Sequence, residues 1–124
     1  MIKKLALIAA TSLIFAGCTT NPSISEGKVL TDNAGMTLYT FDKDSTDKSN
    51  CYGECAKKWP IFYGIIDKVN LPANINMNNF ATITRKDGIL QTTYNHKPLY
   101  YFFKDAKPSD RNGDGKKGVW HIVK

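Results

Sequence analysis

A ten-residue stretch occurs twice in this chain. Gly-Met-Thr-Leu-Tyr-Thr-Phe-Asp-Lys-Asp (35–44) aligns without a gap on His-Lys-Pro-Leu-Tyr-Tyr-Phe-Phe-Lys-Asp (96–105). Leu38, Tyr39, Phe41 and Asp44 fall on Leu99, Tyr100, Phe102 and Asp105, and the same offset of 61 residues carries Trp59 onto Trp120. Two copies are too few for a solenoid, which needs at least about three repeats to bury a continuous core. The duplication therefore predicts one domain with two pseudo-symmetric halves, the repeats running over 35–60 and 96–121.

Both copies carry strand chemistry. Met36 to Phe41 and Leu99 to Phe103 are rich in aromatic and bulky residues, and period-two alternation puts Tyr39 with Phe41 and Tyr100 with Phe102 on shared faces. Lys28 to Thr31 reads as a short strand ahead of the first copy. Phe80 to Arg85 and Ile89 to Tyr94 flank Lys86-Asp87-Gly88, a hairpin signal because Asp-Gly accepts positive φ. Asn95-His96-Lys97-Pro98 turns the chain back into Leu99, and Val119 to Val123 makes a last strand. Tyr52 to Lys58 is the one helical turn or two, stopped near Pro60. The expected fold is mainly β, a small antiparallel sheet or barrel-like domain of about six to eight strands with at most one short helix.

The N-terminus is an address. Lys3 and Lys4 precede an apolar run from Leu5 to Ala16, too short to span a bilayer, which takes roughly 20 residues. Ala16-Gly17 in front of Cys18 resembles the lipobox of bacterial lipoproteins. That resemblance implies a cleaved signal over 1–17 and a Cys18 carrying lipid, with fatty-acyl chains such as palmitate. Two or more chains hold a protein stably at a membrane without a transmembrane helix. The Thr, Asn, Pro and Ser content over 18–27 then reads as a flexible tether to a domain spanning 28–124. Thr19 is not the Asp that retains some lipoproteins at the inner membrane, so in a Gram-negative envelope the periplasmic face of the outer membrane is favoured.

Without the leader, 107 residues remain, enough for one compact domain. They carry fifteen basic against eleven acidic residues, a net charge of +4. The basic residues are scattered, with no helix-long stripe or Arg-rich run, which argues against nucleic acid. Mild positive charge suits loose contact with anionic envelope polymers or headgroups as well as plain solubility. With Cys18 lipidated, Cys51 and Cys55 remain as a pair in an oxidising compartment. Gly53 lets the chain turn tightly enough to bridge them. A structural disulfide is the first reading; a redox-active or metal-binding pair is the other.

Tyr-x-Phe-x-x-Asp at 39–44 and 100–105 resembles the bacterial family of secreted repeats and lipoproteins named for a Tyr-x-(Phe/Trp/Tyr)-x-x-Asp motif. Cys51…Cys55-Ala-Lys-Lys-Trp-Pro, Arg85-Lys-Asp-Gly88 and the Gly-rich run ending in Gly118-Val-Trp120 look like that family too, so the resemblance covers roughly residues 28–124. It implies a secreted or lipid-anchored β domain and no particular reaction. His96 and Asp114 depart from the family pattern, and any role for them is this chain's own.

Candidate sites each have a plain structural counterpart. Asp44 and Asp105, where strands run into loops, suit turn closure by accepting backbone N–H groups; ligand or metal contact is the alternative. Tyr39, Phe41, Trp59, Tyr100, Phe102 and Trp120 read first as core. Asp110, Asn112 and Asp114 match the opening of a calcium loop, but His121 stands where the bidentate Glu is required. His96 and His121, with Cys51, Cys55 and Met36, are weak candidates for copper, lacking any local ligand spacing. Cys-x-x-Cys-His is absent, as are the common hydrolase, zinc-protease and phosphate-loop motifs. The expected function is that of a non-catalytic binding or interaction module at the cell envelope, without a cofactor. Its partners would be envelope proteins, polymers or a small ligand. An extracytoplasmic redox or copper-handling protein using Cys51, Cys55 and histidine is the alternative.

Overall fold

The computed structural model describes residues 28–124. The signal segment, Cys18 and the tether over 18–27 lie outside the described residues.

The fold is mainly β, with five strands in two small antiparallel sheets. Strands β1 (Tyr39–Phe41) and β5 (Trp120–Ile122) form one sheet, in the register Tyr39 to Ile122, Thr40 to His121 and Phe41 to Trp120. Strands β2 (Phe80–Thr84), β3 (Leu90–Tyr94) and β4 (Lys97–Pro98) form the other, in that order. One five-residue helix, α1 (Glu54–Lys58), lies near the end of the first repeat, and single 3-10 turns occupy Lys68–Asn70, Met77–Asn79 and Lys116–Gly118.

Both turns expected in the second sheet form for the reason given. Gly88, at φ 84°, closes the β2–β3 hairpin while Asp87 accepts the Ile89 N–H at 3.1 Å. Asn95 and His96 both sit at positive φ (50° and 68°), the two-residue geometry whose twist matches the strands it joins, and Tyr94 pairs with Lys97.

The strand count and closure differ from expectation. The sheets do not close into a barrel, and five strands stand where six to eight were anticipated. The stretch 99–103 makes no single ladder because its residues bond to different neighbours in turn. Leu99 donates to Thr92, Tyr100 to Tyr39, Tyr101 to Pro60 and Phe103 to Lys58. Residues 28–31 likewise make no strand ladder: Leu30 donates to Val123 and accepts from Leu38, and Thr31 bridges Thr37. The sheets are joined through Tyr100, bridged to both Tyr39 and Ile61.

Two clusters make the core. Leu30, Leu38, Phe62, Ile66, Tyr94 and Leu99 fill one, and the repeat residues Tyr39, Trp59, Tyr100, Phe102 and Trp120, with Cys51, fill the other. At about 25 cal/mol per Å² of apolar surface removed from water, each large ring contributes several kcal/mol before ordering costs.

Candidate functional site

The second cluster is built by exchange between the repeats. Tyr39 and Tyr100 bond main chain to main chain in both directions, at 2.8 and 3.0 Å. Each phenol then donates to the aspartate of the other copy: Tyr39 to Asp105 at 2.6 Å, Tyr100 to Asp44 at 2.7 Å. The remaining oxygen of each aspartate closes its own loop, Asp44 accepting the Asn50 N–H at 2.7 Å and Asp105 the Asn112 N–H at 2.9 Å. Interchanging the repeats maps these contacts onto themselves, so a local two-fold axis passes between them.

Burial governs the electrostatics of these groups. It lifts both phenols far above the ordinary tyrosine range; the Asp105 carboxylate adds to the lift at Tyr39, while Ser49 opposes it at Tyr100. The neutral phenols are therefore fixed donors at physiological pH. Burial also raises the Asp44 carboxyl, against the Tyr100 and Asn50 hydrogen bonds and the positive field of Arg85.

The rings stack on the axis in the sequence Phe41, Trp120, Trp59, Phe102. The tryptophans lie 3.6 Å apart and 3° from parallel, Phe41 is 4.1 Å from Trp120, and Phe102 is 4.4 Å from Trp59. The stack leaves no room for a side chain at Gly113, where a Cβ would meet Trp59 at 2.7 Å and Phe102 at 2.9 Å.

An open groove of about 510 Å³ lies against this stack. Phe41, Trp59, Phe102, Trp120 and the half-exposed Phe103 line it. Around them stand Lys43, Lys58, Lys104, Lys116 and Lys117, with Glu54 the one acid among the lining residues. Lys43 and Lys104 are themselves repeat equivalents, next to Asp44 and Asp105. The faces of both tryptophans are engaged in stacking, and the cationic rim stands around this aromatic floor.

The other anticipated residues are dispersed. Cys51 and Cys55 are joined in a disulfide with a Cα–Cα distance of 5.2 Å; Cys51 is buried and Cys55 borders the groove. His96, in the turn between β3 and β4, faces Asp47 at 3.0 Å, and His121, on β5, faces Asp42 at 2.7 Å. Asp110 accepts the N–H groups of Ala106 and Lys107, the first of which is the main cause holding its carboxyl below the usual range. Asn112 reaches the Lys104 carbonyl and Asp114 the Ile122 N–H. These three side chains thus serve different stretches of backbone. Among the described residues no group of three or more His, Cys, Asp or Glu could hold a metal ion. Nor is any helix there long and apolar enough to cross a membrane.

Sequence reasoning missed two features. Arg85 is buried at 4% exposure and donates to Ser49, Gln91 and the Cys51 carbonyl at 2.8–2.9 Å, while lying 4.4 Å from the Tyr52 ring centre. Its signal was an arginine ending an otherwise uncharged strand before Asp-Gly. The lysine rim was missed because its members are spread from residue 43 to 117, although the repeat itself pairs Lys43 with Lys104.

No curated protein and no solved structure matches the chain. A family model described as a secreted repeat of unknown function matches it twice, over residues 23–62 and 81–124, one match on each copy of the motif. Those two matches cover more than half of the sequence, and the chain belongs to that family of secreted repeats.

Proposed function

We propose that this protein is a membrane-anchored cell-envelope lipoprotein, held through Cys18, that acts as a non-catalytic binding module. Membership in a secreted-repeat family favours export, and the lipobox-like Ala-Gly-Cys18 supports an anchor. The observation that carries the binding role is the convergence of both repeats on one groove, whose floor is rigid aromatic core and whose rim is cationic. The polar groups nearby are committed to structure: both phenols donate to aspartates and the two cysteines are bonded to each other. That arrangement favours recognition by a preformed surface over chemistry.

Native mass spectrometry of the exported protein, released in mild detergent and purified without chelator, tests the reading. Acylated Cys18 and a Cys51–Cys55 pair two hydrogens lighter than free thiols are the expected result. Unacylated, freely soluble protein would remove the anchor. Free thiols holding copper or zinc would replace the binding module with the redox or metal-handling alternative.

A further inference from the structure

The groove's own chemistry narrows its occupant, on the reading that it is the binding site. Five lysines surround it against a single carboxylate, and that carboxylate, Glu54, already has Lys57 at 3.0 Å. Two of the ammonium groups lean over the floor: Lys104 lies 5.6 Å from the Phe103 ring centre and Lys116 5.8 Å from that of Phe102. Like charges gathered around an apolar floor repel one another and are relieved by an anion. A long polyanion calls for a basic stripe extending along the surface, whereas here the charge rings a bounded hollow of about 510 Å³, the size class of small-molecule sites. The local two-fold axis places one lysine of the repeat pair, Lys43 or Lys104, in each half.

We infer that the groove takes a small amphipathic dianion: a flat apolar or aromatic body laid on Phe103 and its aromatic neighbours, with two acidic groups met by Lys43 and Lys104. The ammonium groups favour the anion, so the selectivity is electrostatic and the apolar floor supplies contact area.

Naphthalenedisulfonate is a probe of this chemistry, and a naphthalene bearing two hydroxymethyl groups is its neutral counterpart. The exported chain carrying Cys18→Ser is titrated by calorimetry at physiological ionic strength. Spectra of the two tryptophan indole N–H groups report on the groove directly, because both tryptophans line it. The disulfonate should bind saturably at one site, shift both indole signals and exceed the neutral diol by about ten-fold. The double variant Lys43→Gln/Lys104→Gln should lose about ten-fold in affinity, as expected for two partly exposed ion pairs. Phe103→Ala, at a half-exposed position, should weaken both probes.

Equal binding of the neutral diol, or wild-type affinity in the lysine variant, would overturn the dianion while leaving the groove as a binding site. Binding of dextran sulfate with none of the disulfonate would overturn it in favour of a polyanion surface. If no probe moves the indole signals, the dianion and the groove reading fall together.

Discussion

The two repeats share a lattice and differ in how each is fastened. In both, a tyrosine crosses to the other copy's aspartate and a tryptophan stacks on its equivalent. Beyond the aspartate they part. The first repeat is closed by the Cys51–Cys55 disulfide and α1, with Ser49 set between the Cys51 N–H and the Tyr100 hydroxyl and Arg85 bonded to both Ser49 and Cys51. The second has no cysteine and no α-helix. Its Gly113 N–H donates straight to the Tyr39 hydroxyl at 3.2 Å, and Asp110 and Asp114 gather backbone N–H groups in place of the covalent link. The shared part specifies the core. The unshared parts are interchangeable solutions to one problem, holding a long loop so that its asparagine meets the aspartate.

Changes at the shared tryptophans should be the most damaging. Trp59→Ala and Trp120→Ala are each expected to cost about 3–5 kcal/mol, the range for emptying a large buried ring. Each single change already destroys the same 3.6 Å stack, so the double variant should cost less than the sum by about 1 kcal/mol. Urea unfolding followed by circular dichroism measures this, and strict additivity would mean the halves are not coupled through the stack. Arg85→Met comes next, at about 3 kcal/mol, because it keeps most of the stem's volume but takes the buried charged donor from Ser49, Gln91 and the Cys51 carbonyl. It strikes the first repeat alone; amide exchange should rise at Cys51 before it rises at Gly113, and uniform loosening would refute the separate fastening. Replacing both Cys51 and Cys55 with alanine should cost about 2 kcal/mol, the chain-entropy value for so short a loop. A much larger loss in calorimetry would make the bridge a condition of folding.

The mainly β class, the duplication, both turns of the second sheet and the Cys51–Cys55 bridge were legible because each rests on local chemistry: period-two aromatics, Asp-Gly, the polar Asn-His-Lys-Pro run, and two cysteines four apart. The missing strands were not legible. A run such as Leu99 to Phe103 states its preference for extended backbone, but not that Leu99, Tyr100, Tyr101 and Phe103 would bond to three different segments. Repeat alignment paired Tyr39 with Tyr100 and Asp44 with Asp105 by position. It could not show that each tyrosine serves the other copy's aspartate, since that follows only once the axis exists. The groove was hidden for the same reason, because Lys43 and Lys117 become neighbours of one hollow through tertiary packing alone.

The smallest predicted effect reads the shared lattice directly. Tyr39→Phe and Tyr100→Phe each delete one hydroxyl that donates to a carboxylate, for about 1.5 kcal/mol near neutral pH. Tyr100→Phe should cost slightly more, because its loss also leaves Ser49 without that partner beside the half-buried Asp44. Their pH dependence is the sharper test. In the unfolded chain a tyrosine ionises near pH 10, whereas burial keeps both phenols protonated to far higher pH in the fold. Above about pH 10 the unfolded chain therefore binds fewer protons than the fold, and stability must fall as pH rises. Below that pH the contribution is fully present. Melting temperatures recorded from neutral pH to strongly alkaline pH should drop steeply for the parent protein and less steeply for either phenylalanine variant. Equal slopes in all three would show that the phenols ionise freely in the folded protein, and would undo the claim that each repeat is locked by the other's aspartate.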